Sequence, residues 1–413
     1  PSISYKFSVH HMFKLRLSLR QRITKLLDTG IVNLICYITL FNLLLLLTIL
    51  MLVKISTNSP RQSVQSSDVN FRSVIPLMQE PRNFLQHDRK LYGLLYTLDT
   101  TGGGLGNNVY ELFSFLGIAN MLNRRPILSY EAYDHIGVDH PDLLDNLMNG
   151  ITIEETPNGT VKAHMFSFCS CFNNPLKALR NYTAIDSIGI TLVIAQSYKY
   201  FAGIPRDELR ERLRLSSWNE ELARARMVNP TFFSDTDHVM CVHTRRGDFV
   251  YSPKHAHSTD EFTIPAMMFL LNKTLVERKK RKVGIVLMGE DFTWEESLIA
   301  KLKLRVLLKY NCTYLENYKI VVSQPDDILV PPEIDWDFSR QYCDTVLLTA
   351  SASTFGWFVA FNSKGYDVYY NSVFSKPGGM GRAFNPDDFF PPEWTPVEYD
   401  TSTDDVGMRP PFE

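Results

Sequence analysis

Three clusters of residues in this chain have types and spacing that suit phosphate chemistry. The first is Val239-Met240-Cys241-Val242-His243-Thr244-Arg245-Arg246-Gly247-Asp248, where an apolar run breaks into a histidine, two adjacent arginines, a glycine and an aspartate. Two guanidiniums side by side offer planar, permanently charged forks that match phosphate oxygens. The plainer alternative is a surface ion pair between Arg245 or Arg246 and Asp248. The second cluster is Gly102-Gly103-Gly104-Leu105-Gly106-Asn107-Asn108, a glycine-rich turn ahead of an apolar, helix-periodic stretch. Backbone N–H groups at such a helix start favour anions. The spacing is not G-x-G-x-x-G, so a dinucleotide site is not indicated. The third is Ser351-Ala352-Ser353-Thr354-Phe355-Gly356-Trp357. Its hydroxyls can cap a helix and can also hold a phosphate, while Phe355 and Trp357 are either core or the wall of a sugar or base pocket. Glu290-Asp291 is a fourth, smaller feature. Its carboxylates could accept a proton from an acceptor hydroxyl or from a ribose, or cap the helix that follows.

The elements around these clusters predict where they sit. Val239–His243 reads as a buried parallel strand because its apolar residues do not alternate. In open α/β sheets, ligands bind in the crevice at the carboxyl ends of such strands. Leu94–Leu98, Ile127–Tyr130 and Ile190–Ala195 are further predicted strands, and Val109–Met121 and Arg206–Arg226 are predicted helices. Beyond residue 236 the pattern runs strand 239–243, helix 264–280, strand 283–289, helix 293–308, strand 319–322, strand 344–349, helix 351–361 and strand 366–370. Alternating strands and helices in two blocks predict an α/β protein with two facing, Rossmann-like, doubly wound domains.

A chain of 413 residues with 45% hydrophobic and 12% aromatic residues can bury two such cores. A net charge of −2 argues against general nucleic-acid binding. The arginine pair is therefore a local feature on a near-neutral background. Ile31–Val53 carries no charge and would reach roughly 34 Å as a helix, enough to cross a hydrocarbon core of about 30 Å. Lys6, Lys14, Arg16, Arg20, Arg22 and Lys25 precede it, and few basic residues follow closely. The positive-inside rule then predicts a single-pass signal anchor with a lumenal body. The expected organisation is a cytosolic tail over 1–30, the anchor over 31–53 and a polar stem over 54–90. An N-terminal α/β domain over 91–235, a C-terminal one over 236–395 and a tail over 396–413 complete it.

Four sequons, at Asn158, Asn181, Asn272 and Asn311, fall on the lumenal side. Cys169, Cys171, Cys241, Cys312 and Cys343 lie there too. An odd number in an oxidising lumen leaves one unpaired within the chain, and Cys241, inside the predicted strand, is the expected free thiol. Cys169-Ser-Cys171 has no partner pattern for zinc, and no metal site is expected.

In order, Gly103-Gly104-Leu105-Gly106-Asn107, His243-Thr244-Arg245-Arg246-Gly247-Asp248 and Ser351-Ala352-Ser353-Thr354-Phe355-Gly356-Trp357 resemble the motifs of the α-1,2-fucosyltransferases, over roughly residues 95–375. Members usually carry Gln where this chain has Asn108, Ser at Gly356, and Trp-Trp at Trp357-Phe358. The resemblance implies an inverting, GT-B-fold glycosyltransferase anchored in the Golgi membrane as a type II protein. GDP-β-L-fucose would be the donor, with no cofactor or metal, and the acceptor the 2-hydroxyl of a terminal β-galactose on a glycan. The N-terminal domain would face the acceptor and the C-terminal one would bind the donor. By matching motif, Arg246 would neutralise the leaving diphosphate, with His243 and Arg245 shaping the loop and Asp248 orienting it or contacting the nucleotide. Gly103, Gly104, Gly106, Asn107, Ser351, Ser353, Thr354, Phe355 and Trp357 would line the donor site. Asp248, Glu290 and Asp291 are the candidates for the base. Oligomeric state is left open. Two other readings stand beside this one: a fucosyltransferase of other linkage (α-1,6 or protein O-fucose), or a catalytically silent lumenal glycan-binding protein.

Overall fold

The structure is a computed structural model that describes residues 88–95, 104–164, 170–215, 236–280, 282–310, 318–322, 331–380, 384–400 and 405–408. The predicted tail, anchor and nearly all of the stem lie outside the described residues, as do Gly103, Cys169, Asn311 and Cys312. Among the described residues no helix is long and apolar enough to cross a membrane.

The described residues build two sheets. The first contains β1 (Lys90–Leu95), β2 (Arg125–Leu128), β3 (Thr152–Ile153), β4 (Val161–His164) and β5 (Ser187–Leu192), in the order β3-β2-β1-β5-β4, with every pairing parallel. The second contains β6 (His238–His243), β7 (Val283–Met288), β8 (Tyr318–Val322), β9 (Thr345–Leu348), β10 (Asp367–Asn371), β11 (Thr395–Asp400) and β12 (Asp405–Met408), in the order β12-β11-β10-β9-β6-β7-β8. From β8 to β11 the neighbours are parallel, and only β12 runs antiparallel at the edge. Numbered from β6, that is the doubly wound order 3-2-1-4-5-6, which reverses between β6 and β9.

Every residue of β6, β7 and β9 is buried, which is why their sequences run apolar without alternation. One face of the sheet is covered by α6 (Asp260–Asn272) and α7 (Phe292–Tyr310), through Phe262, Met267, Leu271, Leu298 and Leu302 against Met240, Val242, Ile285 and Leu287. The other face shares one continuous core with the first sheet. Its centre is α1 (Leu105–Met121) laid against α9 (Thr354–Asn362), with Tyr110, Phe113, Trp357 and Phe358 packed at tilted or edge-to-face angles. Such geometry suits the ring quadrupoles. The helices α2 (Tyr130–Asp139) and α3 (Pro141–Leu147) flank the first sheet, and α4 (Arg206–Arg212) reaches the C-terminus of α9. There Arg206 donates to the carbonyls of Phe361 and Ser363, and Arg210 donates to that of Asn362, satisfying helix-end acceptors that otherwise have no partner. Two short or middling helices complete the set used below, α5 (Gly247–Tyr251) and α8 (Glu333–Tyr342).

Several expectations need correction. Cys241 is not a free thiol: it is bonded to Cys343, with Cα atoms 5.6 Å apart, and both residues are buried. Counting cysteines cannot reveal that the end of α8 passes beside β6 on its way to β9. Cys171 is also disulfide-bonded, and among the described residues no cysteine is free. The expected C-terminal tail contributes β11 and β12 to the second sheet. The first strand occupies Lys90–Leu95, earlier than its apolar centre suggested, and α4 ends at Arg212, well short of the predicted Arg226. The helices α2, α3 and α8 are short or rich in polar residues, so no apolar periodicity announced them.

Candidate active site

The strand β6 ends at His243, beside the point where the order of the second sheet reverses. The His243 carbonyl accepts from the backbone N–H (3.1 Å) and the hydroxyl (2.8 Å) of Thr349, just beyond β9. Ser258 completes a latch: its hydroxyl meets that of Thr349 at 2.6 Å and accepts from the N–H of Arg245 at 2.9 Å, while its carbonyl accepts from Arg246 Nη1 at 2.8 Å. The arginine loop is thus tied to its neighbours by backbone groups before any ligand arrives.

The two guanidiniums then diverge. Arg245 pairs with Asp248 (2.8 Å) and Glu290 (2.6 Å), and Arg246 with Asp291 (2.9 Å). The Arg246 guanidinium also lies 4.7 Å from the centre of the Trp294 ring, a cation–π contact. Arg246 is the less exposed of the two, its side chain 21% accessible against 33%, so its interactions are the less screened. Asp291 has two duties, accepting from Arg246 and from the N–H of Trp294 at 3.1 Å as the cap of α7. The ion pair weighed as the plainer alternative is present for Arg245 and Asp248. It coexists with the loop's placement at the sheet's crevice.

His243 is enclosed. Burial, aided by the Arg245 charge, pushes its imidazole down to about 3, so the ring is neutral at physiological pH. Its Nε2 shares a hydrogen bond with the Ser353 hydroxyl at 3.2 Å, and Ser353 at the same time caps α9 by accepting from the N–H of Gly356. A Cβ on Gly356 would overlap the imidazole. Glycine at this position therefore has a steric reason.

The glycine turn and the Ser-Thr turn meet directly. A Cβ on Gly106 would run into the backbone of Thr354 and Phe355. Asn107 Oδ1 accepts from the Thr354 hydroxyl at 2.8 Å, across 247 residues of sequence, and from Gln196 Nε2 at 2.9 Å. Gly104 precedes α1 as its N-cap residue and is exposed. The start of α1, the start of α9 and the end of β6 therefore converge, and Gly104, Gly106, Asn107, His243, Arg245, Arg246, Ser353 and Thr354 belong to one neighbourhood. Phe355 is half-buried, stacked on Trp336 at 5.3 Å. Ser351 and Trp357 lie deeper: the Ser351 hydroxyl donates to the Asn371 carbonyl, and the fully buried Trp357 indole donates to the Phe389 carbonyl. Among the sequons, Asn158 and Asn181 are exposed, whereas Asn272 ends α6 half-buried.

Sequence reasoning passed over Thr244, Gln196, Ser258, Trp294 and Glu295. The first four have no local pattern that marks them. Glu295 had one, since it lies one helical turn after Asp291, on the same face of α7.

No family model matches the chain. Among curated proteins, a galactoside 2-alpha-L-fucosyltransferase of Caenorhabditis elegans is 30% identical over 311 residues, covering 72% of this chain and 75% of the relative. The chain belongs to the galactoside 2-alpha-L-fucosyltransferase family. It is a fucosyltransferase. A second Caenorhabditis elegans member of that name is 30% identical over 296 residues, covering 70% of this chain and 76% of its own. Among solved structures, the α-1,6-fucosyltransferase NodZ soaked with GDP-fucose covers 78% of this chain and 99% of its own, at a TM-score of 0.36 and 11% identity. NodZ from Bradyrhizobium covers 67% and 93%, at 0.34 and 12%. For this fucosyltransferase, the convergence of α1, α9 and β6 brings helix-start N–H groups and hydroxyls next to the strand end that carries the cationic forks.

Proposed function

We propose that this fucosyltransferase moves L-fucose from GDP-β-L-fucose to the 2-hydroxyl of a terminal β-galactose on a glycan, with inversion and without a metal. The observation that carries the reading is the placing of Arg245 and Arg246 just beyond the end of β6, at the strand-order reversal of the second sheet, with His243 of the same strand bonded to the Ser353 cap of α9. A diphosphate leaving group gains charge as the glycosidic bond breaks, and fixed cations in a partly dry crevice stabilise that charge most. Arg246, backed by Asp291, Ser258 and Trp294, is the main charge partner, with Arg245 beside it. Thr354 and the N–H groups at the start of α9 would hold phosphate oxygens, and Asn107 positions Thr354 for this. His243 serves as a neutral brace, because a ring held down to about 3 is a poor proton acceptor. The acceptor hydroxyl must shed its proton. Asp248, the most exposed of the three paired carboxylates at 68%, is assigned that task. The 2-linkage and the galactose acceptor rest on the names of the relatives and on the motif resemblance.

The setting we propose is the Golgi lumen, behind a single type II anchor at Ile31–Val53 and a polar stem. The buried Cys241–Cys343 disulfide supports an oxidising compartment, and exposed Asn158 and Asn181 support glycosylation there. The test is to incubate the full chain with GDP-fucose and a panel of galactose-terminated glycans, with and without a chelator, and to read the linkage by methylation analysis. Transfer to the 2-hydroxyl that survives chelation is expected; an α-1,6 product, or none with any glycan, sinks the reading. Arg246→Lys keeps the charge but loses the fork. Its transfer rate should fall by about 10²–10³-fold, and unchanged turnover would remove Arg246 from its role. Protease protection and glycosidase sensitivity of the chain in membranes check the topology.

A further inference from the structure

Beneath the arginine loop lies a carboxyl group that neither the motifs nor the ion pairs explain. Glu295, in the first turn of α7, is fully buried. Its Oε1 accepts from the Thr244 hydroxyl at 2.5 Å, and its Oε2 is buried without a partner. Thr244 is the residue between His243 and Arg245, and its N–H is fixed on the Met288 carbonyl at 2.9 Å. The junction is tight enough to require Gly289: a Cβ there would run into both the Thr244 hydroxyl and Glu295 Oε1. The same helical turn supplies Asp291 and Trp294 to Arg246.

We propose that Glu295 is a positioning residue for the diphosphate-binding loop, acting through the Thr244 hydroxyl to set where Arg245 and Arg246 leave β6. This rests on the diphosphate reading of that loop. Burial is the main reason why the carboxyl is pushed up to about 7, and the nearby carboxyl groups of Asp335 on α8 and of Asp291 and Glu290 before α7 push it the same way, while the Thr244 bond pulls it down. Below that value the group is neutral. Above it, a fourth negative charge joins the acidic groups around Arg245 and Arg246 and weakens their pull on a diphosphate. The positioning contact thereby makes donor affinity depend on pH, while His243, already neutral, stays silent over the same range.

The experiment uses the full chain and GDP-fucose, whose doubly esterified diphosphate does not titrate near neutrality. Donor KM is measured between pH 6 and 8.5, together with direct calorimetric binding of GDP-fucose without acceptor. In the wild type, donor KM should rise roughly tenfold per pH unit at most above about pH 7, and Glu295→Gln, which keeps the acceptor oxygen but cannot ionise, should flatten that limb. Thr244→Val should raise donor KM at every pH, with Thr244→Ser restoring it. Matching pH profiles for the wild type and Glu295→Gln overturn the inference even if both transfer fucose. If Glu295→Gln does not fold, an unchanged donor KM in Thr244→Val overturns it instead. A wild type that neither binds GDP-fucose nor transfers fucose overturns the functional reading, and this inference with it.

Discussion

Replacing Gly356 with alanine tests the packing of the candidate site at a single atom. Gly356 is the third residue of α9, counted from its Ser353 cap. In a helix with open space around it, glycine to alanine stabilises by about 1 kcal/mol through backbone entropy. Here the added Cβ would overlap the His243 imidazole, and overpacking a close-packed site costs about 1–3 kcal/mol. Moving the ring aside also strains its bond to Ser353, typically worth about 1 kcal/mol. The net expectation is a loss of about 1–3 kcal/mol. In a His243→Ala background the clash is gone, and the same glycine to alanine change should become stabilising. Chemical denaturation of the wild type, both single variants and the double variant gives the coupling energy directly. Donor KM for Gly356→Ala should rise as well, because the ring braces the strand that delivers Arg245 and Arg246. A coupling within about 0.5 kcal/mol of zero would refute the steric account of Gly356 and the enclosed placement of His243.

Three further outcomes follow from particular contacts. Replacing both Cys241 and Cys343 with serine opens a loop with a sequence separation of 102 residues and should cost about 4–5 kcal/mol on the chain-entropy account; a denaturation midpoint equal to that of the wild type would contradict the bond. Asn107→Ala strips the acceptor shared by Thr354 and Gln196 and should cost about 1–3 kcal/mol, with Thr354→Val in the same chain recovering part of it, as a double-mutant cycle would reveal. His243 and Glu295 should tilt stability in opposite directions. The folded imidazole lies below its ordinary 6.5 at about 3, so the unfolded chain binds the proton first and stability is lost as pH falls from 6.5 toward 3. The folded Glu295 carboxyl lies above its ordinary 4.5 at about 7, so its contribution is fully present below 4.5 and is lost as pH rises through 7. Stability differences between the wild type and His243→Asn or Glu295→Gln, followed from pH 4 to 8, should therefore slope oppositely, and parallel slopes would discard both assignments.

How far the sequence reached can be judged from individual residues. The strands β6, β7 and β9 were legible because a strand buried on both faces runs mostly apolar, and that is a property of consecutive residues. The helix starts at Ser353 and Asp291 were legible because capping is local. The glycine turn is legible as a helix start that favours anions, but what packs against it is not: Thr354, which bonds Asn107, lies 247 residues away, and its backbone and that of Phe355 meet Gly106. Trp357 reads from its motif as either core or pocket wall, and the fold buries it at the centre of the core shared by the two sheets. Nothing local to Trp357 distinguishes those outcomes.

By itself the sequence determined the chemistry available to this fucosyltransferase. It set a pair of permanent cations at a strand end, hydroxyls and free N–H groups at helix starts, carboxylates after the neighbouring strand, and an α/β pattern able to hold them. Only the tertiary structure decided which groups meet: Cys241 with Cys343, Asn107 with Thr354, Gly356 under His243, and Glu295 beneath Thr244. The physical reason is that composition, capping and periodicity act within a few residues. Burial, overlap and the charge state of a buried acid are set instead by neighbours that only the crossing of strands and helices brings into contact.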